Sequence, residues 1–389
     1  MKTFALCFDV DRDFGLEERR TNVLKLYSAL ARDENQIPEY VPIPGSPKAS
    51  GRGEALLKTL ESLLKLEAIG AAFSLLSLFV DSPEFDAVKR YGFGNGIALQ
   101  LQSACEFLIE HWAPGDGIVI FGNGHSAGIA LLFVRFVHQF GLIPREMKDS
   151  LPSLIDRFFR GTIKETELPC AMFQQSFSRS CAVSFLGIWD CIDEMTFIKR
   201  PVRLRPQMAV DPCLQVRHAV SIDEHRGWFR PLVLSDADRQ LKSACVKEVW
   251  FAGVHADVMG GYLEAESGLS QIALAWMIDE AAKCGIRFDG PRLCRILGAE
   301  QTSEDLANWP GFESPNPLGP AHESLRGFAW EMEFIPRKRG DGTGKYELPL
   351  GRRRRIPAQS LVHPSVVDRM NSSLGYRPKN LPTDFQIVE

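Results

Sequence analysis

Residues 115–135 read G-D-G-I-V-I-F-G-N-G-H-S-A-G-I-A-L-L-F-V-R. Within them 118–121 is a short continuous apolar run, as expected of a strand buried on both faces, and 129–136 continues as an apolar, helix-compatible segment. A G-x-S-x-G pattern stands at the junction, formed by Gly124, His125, Ser126, Ala127 and Gly128. Small residues suit a sharp strand-to-helix turn, where the chain doubles back so tightly that a flanking Cβ would clash. Such a turn lifts a serine hydroxyl above the sheet edge and aims the helix N-terminus at whatever the serine attacks. In this context Ser126 is the expected nucleophile; the competing reading is a tight βα turn that the glycines alone require.

Working outward, 4–8 reads as a buried first strand, and the acidic loop after it lies where α/β enzymes place ligand-facing groups. Helices are expected over 22–30 and 98–111, a second strand over 40–43, and further buried strands over 182–188 and 246–254. The second of these later strands leads to His255, and 271–283 forms a helix beyond it. The alternation predicts an α/β fold, a mostly parallel α/β-hydrolase-like sheet flanked by helices. The division expected is a catalytic domain over 1–284, with a helical insertion at about 54–90, and a C-terminal extension over 285–389 packed on the same domain. Within the insertion, 66–80 is apolar nearly all round. It is expected to cover or border an acyl site, with a buried helical hairpin as the plainer alternative.

A chain of 389 residues with 24% charged residues and a net charge of -4 gives no global reason to expect nucleic acid. The nine cysteines include no C-x-x-C pair and read as mostly reduced residues of an intracellular protein. The first apolar segment is too short for a signal peptide, and no run reaches the roughly 18–20 residues of a membrane span. The glycine-rich run at 91–97 is not followed by the Lys-Ser or Lys-Thr of a phosphate loop, so no cofactor is expected. No histidine and cysteine cluster has zinc spacing, and Asp9-x-Asp11-x-Asp13 reads as a solvated acidic loop, so no metal is expected either.

A serine hydroxyl needs a base to take its proton, and the resulting imidazolium needs a carboxylate behind it. Asp190 and His255 each follow a buried strand and complete the chain order serine, acid, histidine. His322 is the reserve base, and Asp257 is expected to hydrogen-bond the turn at His255. The oxyanion-hole donors expected are the backbone N–H of Ala127 and one from the loop after the first strand, at Val10 or Asp11. Arg337-Lys338-Arg339 and 352–355 are expected to form a basic face, set against a plain solvated hairpin.

Several blocks in one order carry a resemblance: T-N-V at 21–23, W-A-P-G-D-G-I-V-I-F-G at 112–122, F-L-G-I-W-D at 185–190 and R-H-A-V-S-I-D-E-H-R-G-W-F-R-P at 217–231. They continue with E-V-W-F-A-G-V-H-A-D-V at 248–258, G-G-Y at 260–262, L-A-W-M at 274–277 and H-P-S-V at 363–366. The chain resembles the α/β-hydrolase domain family of bacterial and fungal proteins that includes the type VI secretion lipase effectors of family one. By that resemblance Ser126, Asp190 and His255 match the family's nucleophile, acid and base, and the implied chemistry is hydrolysis of phospholipid acyl esters. The partners it implies are a phospholipid or other ester substrate, a peripheral membrane contact, and secretion machinery or an immunity protein. The implied location is the cytoplasm of the producing cell, with delivery by a type VI system. Three departures stand out. Asp9-Val10-Asp11 replaces the usual D-G-T, and Met259 stands where glycine is common. The usual elbow G-F-S-R-G-A is replaced by G-H-S-A-G-I at 124–129, read with a two-residue insertion before it.

Overall fold

The computed structural model describes residues 1–9, 19–42, 95–160, 178–192, 213–233, 245–298, 312–327, 329–330, 333–334, 336–338 and 346–388. The expected insertion at 54–90, with its 66–80 segment, lies outside the described residues, as do Val10, Asp11 and Arg339.

The first strand, β1 (Thr3–Asp9), is buried along nearly its whole length. Phe4, Leu6 and Phe8 join one core cluster while Ala5 and Cys7 join another, because successive side chains of a strand leave on opposite faces. That division explains the run of unbroken apolar residues: both faces of the sheet are covered. β2 (Arg19–Thr21) and α1 (Asn22–Ala29) follow, with the Thr21 hydroxyl capping α1 by accepting from the Leu24 N–H. β3 (Gln36–Pro42) pairs with β1. Next come α2 (Asn95–His111), β4 (Gly117–Asn123), α3 (Gly124–Phe140), α4 (Leu151–Arg160) and β5 (Val183–Trp189). They are followed by β6 (Cys213–Ser221), β7 (Cys245–Phe251), the short α5 (His255–Met259), β8 (Gly260–Leu263) and α6 (Gly268–Lys283). α7 (Gly290–Ile296), β9 (Arg337–Lys338), β10 (Tyr346–Glu347), β11 (Leu361–Val362), α8 (Pro364–Asn371) and β12 (Gln386–Ile387) come last among the described elements.

Among the described residues the main sheet has eight strands in the order β12-β11-β7-β6-β5-β4-β1-β3, and every pairing between them is parallel. Helices α2, α3 and α4 supply one covering layer, and α1, α6 and α7 supply the other. The fold is therefore α/β, a parallel sheet flanked by helices. Strand order reverses beside β1, whose neighbours are β3 on one side and β4 on the other. In open α/β sheets the crevice outside the carboxyl ends at such a reversal is where ligands bind. Asp9 ends β1 and Asn123 ends β4 at that place.

The segment beyond α7 contributes more than a cover. β11 extends the sheet beside β7, with Leu361 opposite Val249 and Val362 opposite Trp250, and Val362 and Val366 pack against Trp250 in a third core cluster. Two-residue strands give no readable period, which is why the sequence shows no βα alternation there.

Candidate active site

Strand β4 passes into helix α3 with no intervening loop, so the whole bend falls on one residue. Gly124 is that residue, with φ +46 in the left-handed region, a conformation other residues adopt only under strain. Just before the bend, a Cβ on Gly122 would stand 2.9 Å from the Ala127 Cα, so the helix start lies directly on the strand end. Ser126 is two residues past the bend, about 200° further round the helix. It is wholly buried, and its Oγ has no hydrogen-bond partner among the described residues.

The expected acid and the expected base do meet. His255 Nδ1 lies 2.5 Å from Asp190 Oδ2, and both side chains are buried. With the Nδ1 proton held by the carboxylate, the Nε2 lone pair is left as the proton acceptor. That nitrogen faces the bend: a Cβ built on Gly124 would be 3.0 Å from His255 Nε2 and 3.3 Å from Met259 Sδ. The structure thus brings Asp190 and His255 together and does not hydrogen-bond Ser126 to either. Ala127 follows Ser126 in the first turn of α3, fully buried.

Asp190 has a second partner, a cation, that the sequence did not suggest. Arg354 Nη1 donates to Oδ1 at 2.6 Å and Nη2 to Oδ2 at 3.0 Å, in the planar two-pronged geometry that suits guanidinium to carboxylate. The Ser221 N–H donates to Oδ1 at 2.9 Å and the Ser221 hydroxyl to Oδ2 at 3.2 Å. Burial alone would raise the Asp190 pKa; the charge of Arg354 and the bond from His255 outweigh it and hold the carboxyl below the usual carboxylate range. Asp190 is also held at φ +43, a conformation uncommon for a non-glycine residue. Arg354 further donates to the Phe229 carbonyl, and the Phe229 ring stands edge-on to His255 with centroids 4.9 Å apart. The expectation of an exposed basic run at 352–355 is thereby corrected: Arg352, Arg353 and Arg355 are exposed, but Arg354 is buried because its charge serves Asp190.

Glu224, fully buried, accepts from the His255 N–H at 3.2 Å and from the Ser324 hydroxyl at 2.8 Å. Burial raises its pKa, but Arg226 outweighs this and pulls it to about 2. His125, beside the bend, is pushed down to about 4 by burial and by the neighbouring His255, so it is neutral near pH 7. The reserve base, His322, pairs instead with Asp257 at 2.6 Å and stacks on Tyr262. Asp257 also accepts from the Val254 N–H at 3.0 Å, bracing the residue before His255.

Residues 2–280 match the family described as T6SS, phospholipase effector Tle1-like, catalytic domain. The chain belongs to that family. It is 26% identical over 243 residues to an uncharacterised yeast protein, YEL023C of Saccharomyces cerevisiae, covering 59% of this chain and 32% of that protein. Among solved structures it is similar to an uncharacterised protein from Pseudomonas aeruginosa, with 15% identity and TM-score 0.38 over 79% of this chain and 48% of the other. It is also similar to the Tle1 effector bound to the VgrG spike of the type VI secretion system, with 16% identity and TM-score 0.33 over 69% and 52% of the two chains. The chain thus spans about a third of the curated relative and about half of each solved chain.

In this Tle1-like chain the end of β1 carries a second buried network. Asp9 accepts from Thr21 Oγ1, from the Tyr40 hydroxyl at 3.0 Å and from Asn123 Nδ2 at 2.9 Å, so the residue before the bend is tied to the neighbouring strand. Val10 and Asp11, expected as oxyanion donors, follow directly in sequence but lie outside the described residues. Among the described residues no group of three or more histidine, cysteine, aspartate or glutamate side chains could hold a metal, and no helix is long and apolar enough to cross a membrane.

Proposed function

We propose that this site hydrolyses carboxylic esters of phospholipids, with His255 as the proton-transfer base and Asp190 as the acid that orients it. The observation that carries the reading is the buried contact of His255 Nδ1 with Asp190 at 2.5 Å, which leaves Nε2 directed at the strand-to-helix bend. The lipid substrate rests on membership of a phospholipase effector family. Delivery by a type VI system, with its secretion machinery as partner, is proposed from the same membership. The proposal rests on this pair and not on Ser126, whose hydroxyl makes no bond to the ring. Chemically, the ring accepts a proton as the ester carbonyl is attacked and returns it to the departing alkoxide.

The test is turnover by purified protein on phospholipid vesicles and on a short-chain ester. Replacing His255 with alanine is expected to lower the rate by about 10²–10⁴-fold, the usual contribution of a positioned base. Activity on the short ester alone would assign a smaller soluble substrate. A second reading, a binding module without turnover, is favoured by one observation: no described hydroxyl hydrogen-bonds to His255 Nε2. Absence of turnover on both substrates, with the variant indistinguishable from the native chain, would select it.

A further inference from the structure

The expected nucleophile and the residue that His255 faces are two different residues. Four observations converge on Gly124. It is the single residue of the bend between β4 and α3, and its φ of +46 is the strained conformation that a strand-to-helix elbow imposes on the residue at its apex. The direction its missing side chain would take ends 3.0 Å from His255 Nε2. The base that a hydroxyl there would need is oriented by Asp190, which is itself fixed by Arg354 and Ser221. Ser126 by contrast lies two positions on, wholly buried, with an unpartnered Oγ.

We infer that Gly124, and not Ser126, occupies the seat of the nucleophile, so that an ester bound at this site is cleaved by water deprotonated at His255 and forms no acyl-enzyme. The water step rests on the hydrolytic reading above; the assignment of the seat does not. In that step a water O–H bond breaks and its proton passes to His255 Nε2, while the oxygen forms a bond to the ester carbonyl carbon. The tetrahedral species then collapses with cleavage of the ester C–O bond. The proton moves from His255 to the leaving alkoxide, so that one water and one ester give one acid and one alcohol. A Cβ at the seat would press on His255 Nε2 at 3.0 Å and on the Met259 thioether at 3.3 Å, so a glycine there leaves Nε2 uncovered by any side chain of residue 124.

The experiment uses a fluorophosphonate, which reports an activated hydroxyl by covalent capture, with the modified residue located by peptide mass spectrometry. The native chain is expected to stay unlabelled and to show no burst of alcohol release ahead of steady turnover. Gly124→Ser should become labelled at the introduced serine, and adding His255→Ala to that variant should slow labelling by about 10²–10⁴-fold. A serine at positive φ carries strain, and the introduced Cβ crowds Met259, so Gly124→Ser with Met259→Ala is the second variant. It should label at the same position. An adduct on Ser126 of the native chain overturns the inference, as does a folded Gly124→Ser protein that resists the probe. If the native chain turns over no ester while Gly124→Ser gains both label and turnover, the hydrolytic reading of the native chain falls and the seat assignment stands.

Discussion

Asp190 accepts five hydrogen bonds, from Arg354 twice, His255 once and Ser221 twice, and each partner comes from a part of the chain remote in sequence. A buried carboxylate with one partner removed is left with uncompensated charge, and losses of about 3–5 kcal/mol follow when such pairs are broken. Arg354→Met is therefore expected to lower the free energy of urea unfolding by that amount and to bring the Asp190 carboxyl up toward its ordinary range. Arg354→Lys should recover only part, since an ammonium cannot supply two parallel donors to one carboxylate. The pairing of Asp190 with His255 was legible because each follows shortly after a buried strand. Arg354 was not, since in R-R-R-R nothing local distinguishes the buried arginine from its exposed neighbours. The glycine-serine pattern leaves a related ambiguity. Gly122, Gly124, Ser126 and Gly128 alternate, so the motif fixes the composition of the turn but not which residue stands at its apex.

At the scale of elements, the join of β4 to α3 is built from two close approaches. Gly122 permits the first, because any Cβ there would meet backbone, which cannot swing aside. Gly122→Ala should cost about 1–3 kcal/mol in urea unfolding, the range found for overpacking, and should slow turnover by displacing the start of α3. The second approach is the tie from Asn123 to Asp9, which couples the bend to β1 and, through Thr21 and Tyr40, to the start of α1 and to β3. Strands and helices of this kind were legible from their periodicity, down to the burial of both faces of β1. Side-chain ties between strand ends were not, because they depend on which strands become neighbours and not on local spacing.

For the whole molecule, the C-terminal segment is joined to the site by charge as well as by the sheet edge: Arg354 reaches Asp190, and Ser324 donates to Glu224 beside His255. Both carboxyls have folded pKa values depressed below their ordinary ones, by cations that outweigh the effect of burial. A depressed acid favours the folded state fully at pH values above its unfolded pKa, and the contribution is lost as pH falls through the folded value. For Glu224 that window runs from its ordinary value of 4.5 down to about 2. Integrated over the window, the linkage is worth up to ~3 kcal/mol, less what partial exposure of Arg226 removes by screening. Asp223 has the opposite sign, since burial raises its pKa, so acidification relieves a cost there and offsets part of the loss. The unfolding free energy is therefore expected to fall as the pH drops through that window, from about 4.5 toward 2. In Glu224→Gln the stability at pH 7 should drop, and its decline with acid should be shallower than in the native chain. An equal slope in both proteins would show that the carboxyl at His255 carries none of the acid sensitivity, and that the contact between Ser324 and Glu224 holds the segment without help from charge.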